Sequence, residues 1–169
     1  GHDAAVTELL WKALARLSGC DCVLLDCSPS INIVNLNALG FADFLLIPSS
    51  LDYFSLEGVK STIELSNEIR SGGNGNGAGN EPGGLEILGV LPTFYDKRTS
   101  VSKMAPNTLR NTYGNLVFKT EIRANTEIKK SQWFQKTIFE FAPYSHGAYD
   151  YFKLSKEVLE RLTGITDHE

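Results

Sequence analysis

Apolar residues follow two rhythms along this chain. Uninterrupted apolar runs at residues 22–25 and 44–48 predict strands buried on both faces. Residues 85–93 and 116–122 predict two further strands. Between these lie stretches of helical spacing. Residues 4–17 place Val6, Leu9, Leu10, Leu14 and Leu17 on one stripe that stops at Gly19. Residues 32–42 form a short helix through Ile33, Val34, Leu36 and Leu39. Residues 54–70, 101–113 and 146–162 complete the helical set, with Ser145 placed to cap the last helix. Strands alternating with helices predict an α/β fold: a doubly wound, mostly parallel sheet with helices on both faces.

The run at 22–25 ends on Asp26, followed by Cys27, Ser28, Pro29 and Ser30. Burying that carboxylate costs several kcal/mol unless a partner compensates its charge. In parallel α/β sheets such a residue belongs at the carboxyl end of the strand, where ligands and metal ions sit. A Walker B strand has this form. The plainer alternative is an Asp that caps the following helix. The matching Gly-rich loop with Lys and Ser/Thr does not occur in these 169 residues.

Composition removes several classes. At 169 residues the chain has room for one α/β domain with a full core, and no apolar stretch reaches the length of a membrane span. Cys20, Cys22 and Cys27 cluster on or beside one predicted strand without a matching second Cys/His pair. That disfavours zinc and suits reduced thiols in a cytoplasmic protein. Half of residues 71–84 are glycine, without lysine, which predicts a flexible surface insertion. The net charge of −4 is segregated: residues 97–136 carry nine basic and two acidic side chains, whereas residues 1–96 carry four basic and twelve acidic. A block of this sign suits a polyanion such as DNA phosphate. The alternative is that these side chains scatter around the fold.

Ordered anchors make the reading specific. They are Leu24-Leu25-Asp26-Cys27-Ser28-Pro29-Ser30, Leu36-Asn37-Ala38-Leu39, Ala42-Asp43 before Leu46-Ile47-Pro48, and Asp52-Tyr53-Phe54-Ser55-Leu56-Glu57-Gly58. Ile87-Leu88-Gly89-Val90-Leu91, Thr93-Phe94-Tyr95-Asp96-Lys97-Arg98-Thr99, Val117-Phe118-Lys119-Thr120 and the closing Pro143, Ser145, Gly147 and Ala148 follow in order. Over nearly its whole length the chain resembles the carboxyl-terminal two-thirds of ParA/Soj-type partition ATPases. These belong to the deviant Walker group that also holds MinD and the nitrogenase iron protein.

The resemblance implies the site residues. Asp26 matches the catalytic Walker B carboxylate that organises Mg2+, normally through water. Ser28, Pro29 and Ser30 match the switch that senses the terminal phosphate, although an ordinary turn is the alternative. Asp96 matches the position facing the adenine base, and Arg123 and Asn125 match the second base-flanking segment. There this chain has Arg123-Ala124-Asn125 where many members have Pro-Arg-Asn. As plainer alternatives, Asp96 initiates a turn and Asn125 caps a helix. Arg98, Arg123, Lys129 and Lys130, with Lys136 secondary, match the side of the fold that contacts nonspecific DNA. A serine-protease-like reading of Ser28 or Ser30 with distant His146 has no nucleophile-elbow pattern behind it.

The resemblance further implies partition of plasmids or chromosomes through ATP-dependent dimerisation and DNA binding. It implies ATP/ADP and Mg2+ as cofactors, a ParB-like adaptor and a second copy as partners, and a cytoplasmic, nucleoid-associated location without membrane binding. The relatives' Lys-Gly-Gly-x-Gly-Lys-Thr loop and its strand and helix would precede residue 1. Tight ATP binding and hydrolysis are therefore expected of a larger parent ATPase and not of this chain alone. The competing expectation is a shortened, non-hydrolysing module that binds DNA or a partner. The acidic end of the chain argues against MinD-like membrane positioning. A nitrogenase-type role would need cluster cysteines in a glycine setting, which do not occur.

Overall fold

A computed structural model describes residues 12–14, 16–28, 32–50, 52–70, 85–95 and 100–166. Its elements are α1 (Ile33–Phe41), β1 (Phe44–Ser49), α2 (Tyr53–Arg70), β2 (Glu86–Tyr95), α3 (Ser100–Tyr113), β3 (Ile122–Arg123), α4 (Thr126–Trp133), α5 (Ile138–Phe141) and α6 (His146–Thr166). A 3-10 turn at Gly114–Leu116 follows α3. The sheet order is β1-β2-β3, with β2 and β3 parallel. A parallel sheet with helices is the expected α/β, P-loop NTPase-like fold class.

The chain divides into two compact units, residues 1–45 with 63–87 and residues 46–62 with 88–169. In the first, Asn32 opens α1 by accepting the Asn35 N–H at 3.0 Å. Ala38 and Leu85 are buried there, and the Glu86 N–H donates to the Asp43 carbonyl at 2.8 Å. In the second, Ile47, Val59, Val90, Leu91, Leu109, Val117, Phe118, Ile122 and Ala148 form the core. These are mainly the apolar positions of β1, β2 and the segment beyond α3, as their unbroken runs predict.

Two expectations are corrected. Residues 20–28 form no regular secondary structure, and Leu24 is 91% exposed. An apolar run becomes a buried strand only when neighbours accept its backbone groups, and no described strand pairs with it. The strand expected over 116–122 is reduced to a Val90–Val117 bridge and the two residues of β3. Here the cause is visible: the Lys119 and Thr120 N–H groups donate to the two Glu157 carboxylate oxygens at 2.7 and 2.8 Å. Donors held by a side chain cannot extend a ladder.

The predicted helices at 32–42, 54–70, 101–113 and 146–162 and the strands at 44–48 and 85–93 appear within a few residues of their expected bounds. Of the helix expected over 4–17, residues 12–14 are described and helical. The glycine-rich segment 71–84 lies outside the described residues.

One tie joins the segments of the second unit. From α6, Arg161 Nη1 donates to the Leu88 and Leu116 carbonyls at 2.9 and 3.2 Å, and Nη2 donates to the Val117 carbonyl at 3.0 Å. The same Nη2 meets Glu157 Oε1 at 3.1 Å, and the guanidinium lies 3.9 Å from the Phe118 ring centroid. Gly89 makes room for it. At φ +154°, a Cβ there would stand 2.5 Å from Arg161 Nη1 and from the Leu116 carbonyl oxygen.

Candidate functional site

In the first unit, Asp26 is exposed. Two residues on, Ser28 is held against the start of α1. Asn35 Nδ2 donates to the Ser28 carbonyl at 2.6 Å and to its Oγ at 3.2 Å, while Asn32 Nδ2 reaches that Oγ at 3.4 Å. Ser28 is thus tied to the helix that follows it through the side chains of the N-cap, Asn32, and of Asn35. Pro29 and Ser30 lie outside the described residues.

An exposed single carboxylate suits a magnesium ion that keeps most of its water and completes its shell with phosphate oxygens. It does not suit a closed all-protein site. Among the described residues there is no group of three His, Cys, Asp or Glu placed to hold a metal. The residues present therefore fit a Mg2+–phosphate complex as one contributor to its outer shell.

In the second unit the carboxyl ends of β2 and β3 carry the next candidates. Thr93 pairs with Ile122 and Tyr95 with Arg123, so Phe94 is the extra residue of a bulge. It has φ 55° and is 65% exposed. A left-handed, bulged residue at the carboxyl end of a parallel strand is where ligand sites concentrate. Asp96 and Arg98 follow directly in sequence and lie outside the described residues.

Arg123 leaves β3 and meets a nearly buried Asp150 on α6. Its Nε donates to Oδ2 at 2.9 Å, its Nη2 to Oδ1 at 2.6 Å and its backbone N–H to Oδ2 at 3.2 Å. The Asp150 hydrogen bond raises the guanidinium above its ordinary value, against the opposing effect of burial. Arg123 is therefore committed to a two-pronged internal pair in this state of the protein. Asn125 caps α4, its Oδ1 accepting the Glu127 N–H at 2.7 Å. Gly147 lets α6 approach closely: a Cβ there would sit 2.8 Å from Ile128 Cγ1. Lys129 and Lys130 stand exposed on α4, Lys130 pairing with Glu127 at 2.8 Å. Asn125, Lys129 and Lys130 are thus brought together on one short helix directly after Arg123.

Sequence reasoning missed Asp150. Its partner lies 27 residues away, and no local pattern marks such a pair. Asp52, one of the sequence anchors, has a structural role. It caps α2 by accepting the Ser55 N–H at 2.8 Å, and its Oδ2 accepts the Ser50 and Ser55 hydroxyls at 2.6 and 2.8 Å. The Ser50 hydroxyl, then the Ser55 N–H and hydroxyl, lower this carboxyl to about 2.

Comparison with known proteins adds an independent line. A family model described as an AAA domain matches residues 5–76. The chromosome-partitioning ATPase Soj of Thermus thermophilus is 37% identical over 159 residues, covering 94% of this chain and 60% of that protein. The chromosome partitioning protein ParA of Caulobacter vibrioides is 31% identical over 139 residues, 82% of this chain and 49% of its own length. The sporulation initiation inhibitor protein Soj of Bacillus subtilis is 30% identical over 138 residues, 82% and 51%. The chain thus spans between about half and three fifths of the curated relatives it matches. Among the described residues no helix is long and apolar enough to cross a membrane.

Proposed function

Since the chain belongs to the ParA/Soj family of partition ATPases, we propose that it is part of an ATPase that partitions plasmids or chromosomes by ATP-dependent dimerisation and nonspecific DNA binding. The observation that carries this reading is the match to chromosome-partitioning relatives across most of the chain, and the exposed Lys129 and Lys130 of α4, a helix that begins three residues after β3, support it.

Within the proposal Asp26 holds the water shell of Mg2+, and Ser28, Pro29 and Ser30 form the segment next to the terminal phosphate. Bound Mg2+ supplies charge neutralisation of the phosphates. The contribution of Asp26 is an exposed carboxylate two residues before Ser28, and that of Asn32 and Asn35 is to keep the Ser28 hydroxyl oriented. Asp96 and Asn125 flank the base. Arg98, Lys129 and Lys130 meet DNA phosphates, whereas Arg123 joins them only when it exchanges Asp150 for phosphate. A ParB-like adaptor and a second copy of the protein are the proposed partners, and the nucleoid is the proposed place of action.

Two measurements test it. In the ATPase that contains this chain together with the phosphate loop, Asp26→Ala abolishes Mg-dependent turnover while leaving the fold; retained turnover removes Asp26 from the mechanism. On this chain, Lys129→Glu with Lys130→Glu weakens duplex DNA binding equally for all sequences. The double variant also lowers the slope of log affinity against log salt by about 2. An unchanged slope moves the DNA surface elsewhere.

A further inference from the structure

We infer that Trp133 is a nucleic-acid contact that stacks on unpaired bases, so that the basic block around α4 holds a single strand more tightly than a duplex. This rests on the DNA-binding reading above and adds to it a residue and a preferred form of the nucleic acid.

Four observations carry it. Trp133 ends α4 and is 85% exposed, so that the largest of the aromatic side chains is presented to solvent. Its neighbour Phe134 is also outward but stacks on Phe141, ring centroids 5.3 Å apart and planes 18° from parallel. One of the two adjacent rings thus has a packing role in the fold, and the indole next to it is presented to solvent. Ile128, the other large apolar side chain of α4, is turned against Gly147. The outward face of this eight-residue helix is therefore a single ring among polar side chains, unlike the broad apolar face of a membrane-surface helix.

The charges around the ring have the sign that a phosphate backbone requires. Lys129 and Lys130 lie four and three residues before Trp133 and share its face. The helix then ends in a reversal that carries Lys136 back. Gln135 N–H donates to the Gln132 carbonyl at 3.1 Å, and Lys136 N–H donates to the Ser131 carbonyl at 3.0 Å, with Gln135 at φ 52°. Residues 129–136 hold three lysines and no carboxylate. The Lys130–Glu127 pair is exposed on both sides, so phosphate can compete for that lysine at little cost. Lysines flanking an exposed aromatic ring bind the backbone of a strand while the ring takes a base face. In an intact duplex the base faces are already stacked, and only the lysines can act.

The test uses the full 169-residue chain with three probes: a dT 12-mer, a 12-base-pair duplex, and linear inorganic polyphosphate, which has charge without bases. Trp133→Ala lowers affinity for the dT strand by about 5- to 100-fold and leaves duplex and polyphosphate binding within about twofold. Trp133→Phe retains most of the single-strand affinity. Tryptophan emission is quenched when the parent binds dT and is not quenched in Trp133→Phe, where Trp11 remains as the internal reference. Equal dT binding by parent and Trp133→Ala, with duplex binding intact, overturns the stacking role and leaves the DNA-binding reading standing. Equal losses on all three probes also overturn it, because they show a structural effect. A change in emission with phosphatidylglycerol vesicles but not with dT assigns the ring to a lipid surface instead. No binding to either DNA, with or without Lys129→Glu and Lys130→Glu, sinks both readings together.

Discussion

Replacing Arg161 with Ala should be among the most damaging single changes in the second unit. The guanidinium supplies donors to three backbone carbonyls, and two of these, at Leu88 and Val117, belong to buried residues. Removing it leaves each buried carbonyl unpaired at about 1–3 kcal/mol. The loss of the contact over the Phe118 ring adds about 0.5–2 kcal/mol. Glu157 keeps the Lys119 and Thr120 N–H groups, so it is not stranded. These contributions overlap, and the expected total is about 3–5 kcal/mol. Urea unfolding followed by far-UV circular dichroism reads it as a lower midpoint at unchanged slope. Arg161→Lys, which cannot present two nitrogens to separate carbonyls, should recover only part of the loss. Gly89→Ala should also destabilise, and should do so in the Arg161→Ala background too, because the Leu116 carbonyl clash is with backbone. An Arg161→Ala unfolding free energy within about 0.5 kcal/mol of the parent's would refute the tie as a stabilising element.

Two other outcomes follow from the same physics. Asp150→Asn should cost about 2–4 kcal/mol in the same assay, because it strands a half-buried Arg123 without its counter-charge; an unchanged midpoint would show that the pair contributes nothing net. Asp52 should titrate near 2 by carboxyl carbon NMR, and Ser50→Ala should move that midpoint upward. Its folded value lies below the ordinary 3.8, so its contribution is complete above that value and is lost as the pH falls toward 2. A midpoint near 3.8 in the parent would mean that the two serine hydroxyls do not hold the carboxylate.

Much of the fold was legible because its causes are local. Ser145 as a cap, the apolar runs of β1 and β2 and the stripes of α1, α2, α3 and α6 are all set by neighbours a few residues apart. Of the short helices, α4 is anticipated only by the alternative that Asn125 caps a helix, and α5 escaped, although Thr137 and Glu140 spell the reciprocal cap that opens it. The strand reading of residues 22–25 failed for a different reason. Apolar composition favours burial, but both burial and strand geometry need partner segments, and among the described segments residues 22–25 have neither, with Leu24 91% exposed. The site divides in the same way. Ser28 and its Asn32 and Asn35 partners sit within seven residues of one another. Arg123 reads as a free cation in sequence because Asp150 is 27 residues distant.

The Arg161 tie also sets an order of events during synthesis. The Leu88 carbonyl emerges from the ribosome 73 residues before the side chain that claims it. The Lys119 and Thr120 N–H groups wait 38 and 37 residues for Glu157. Through that interval the growing chain carries a strand edge with open donors and acceptors, the feature that invites pairing with another chain. The arrival of α6 is therefore the step that closes those backbone groups to a neighbouring chain.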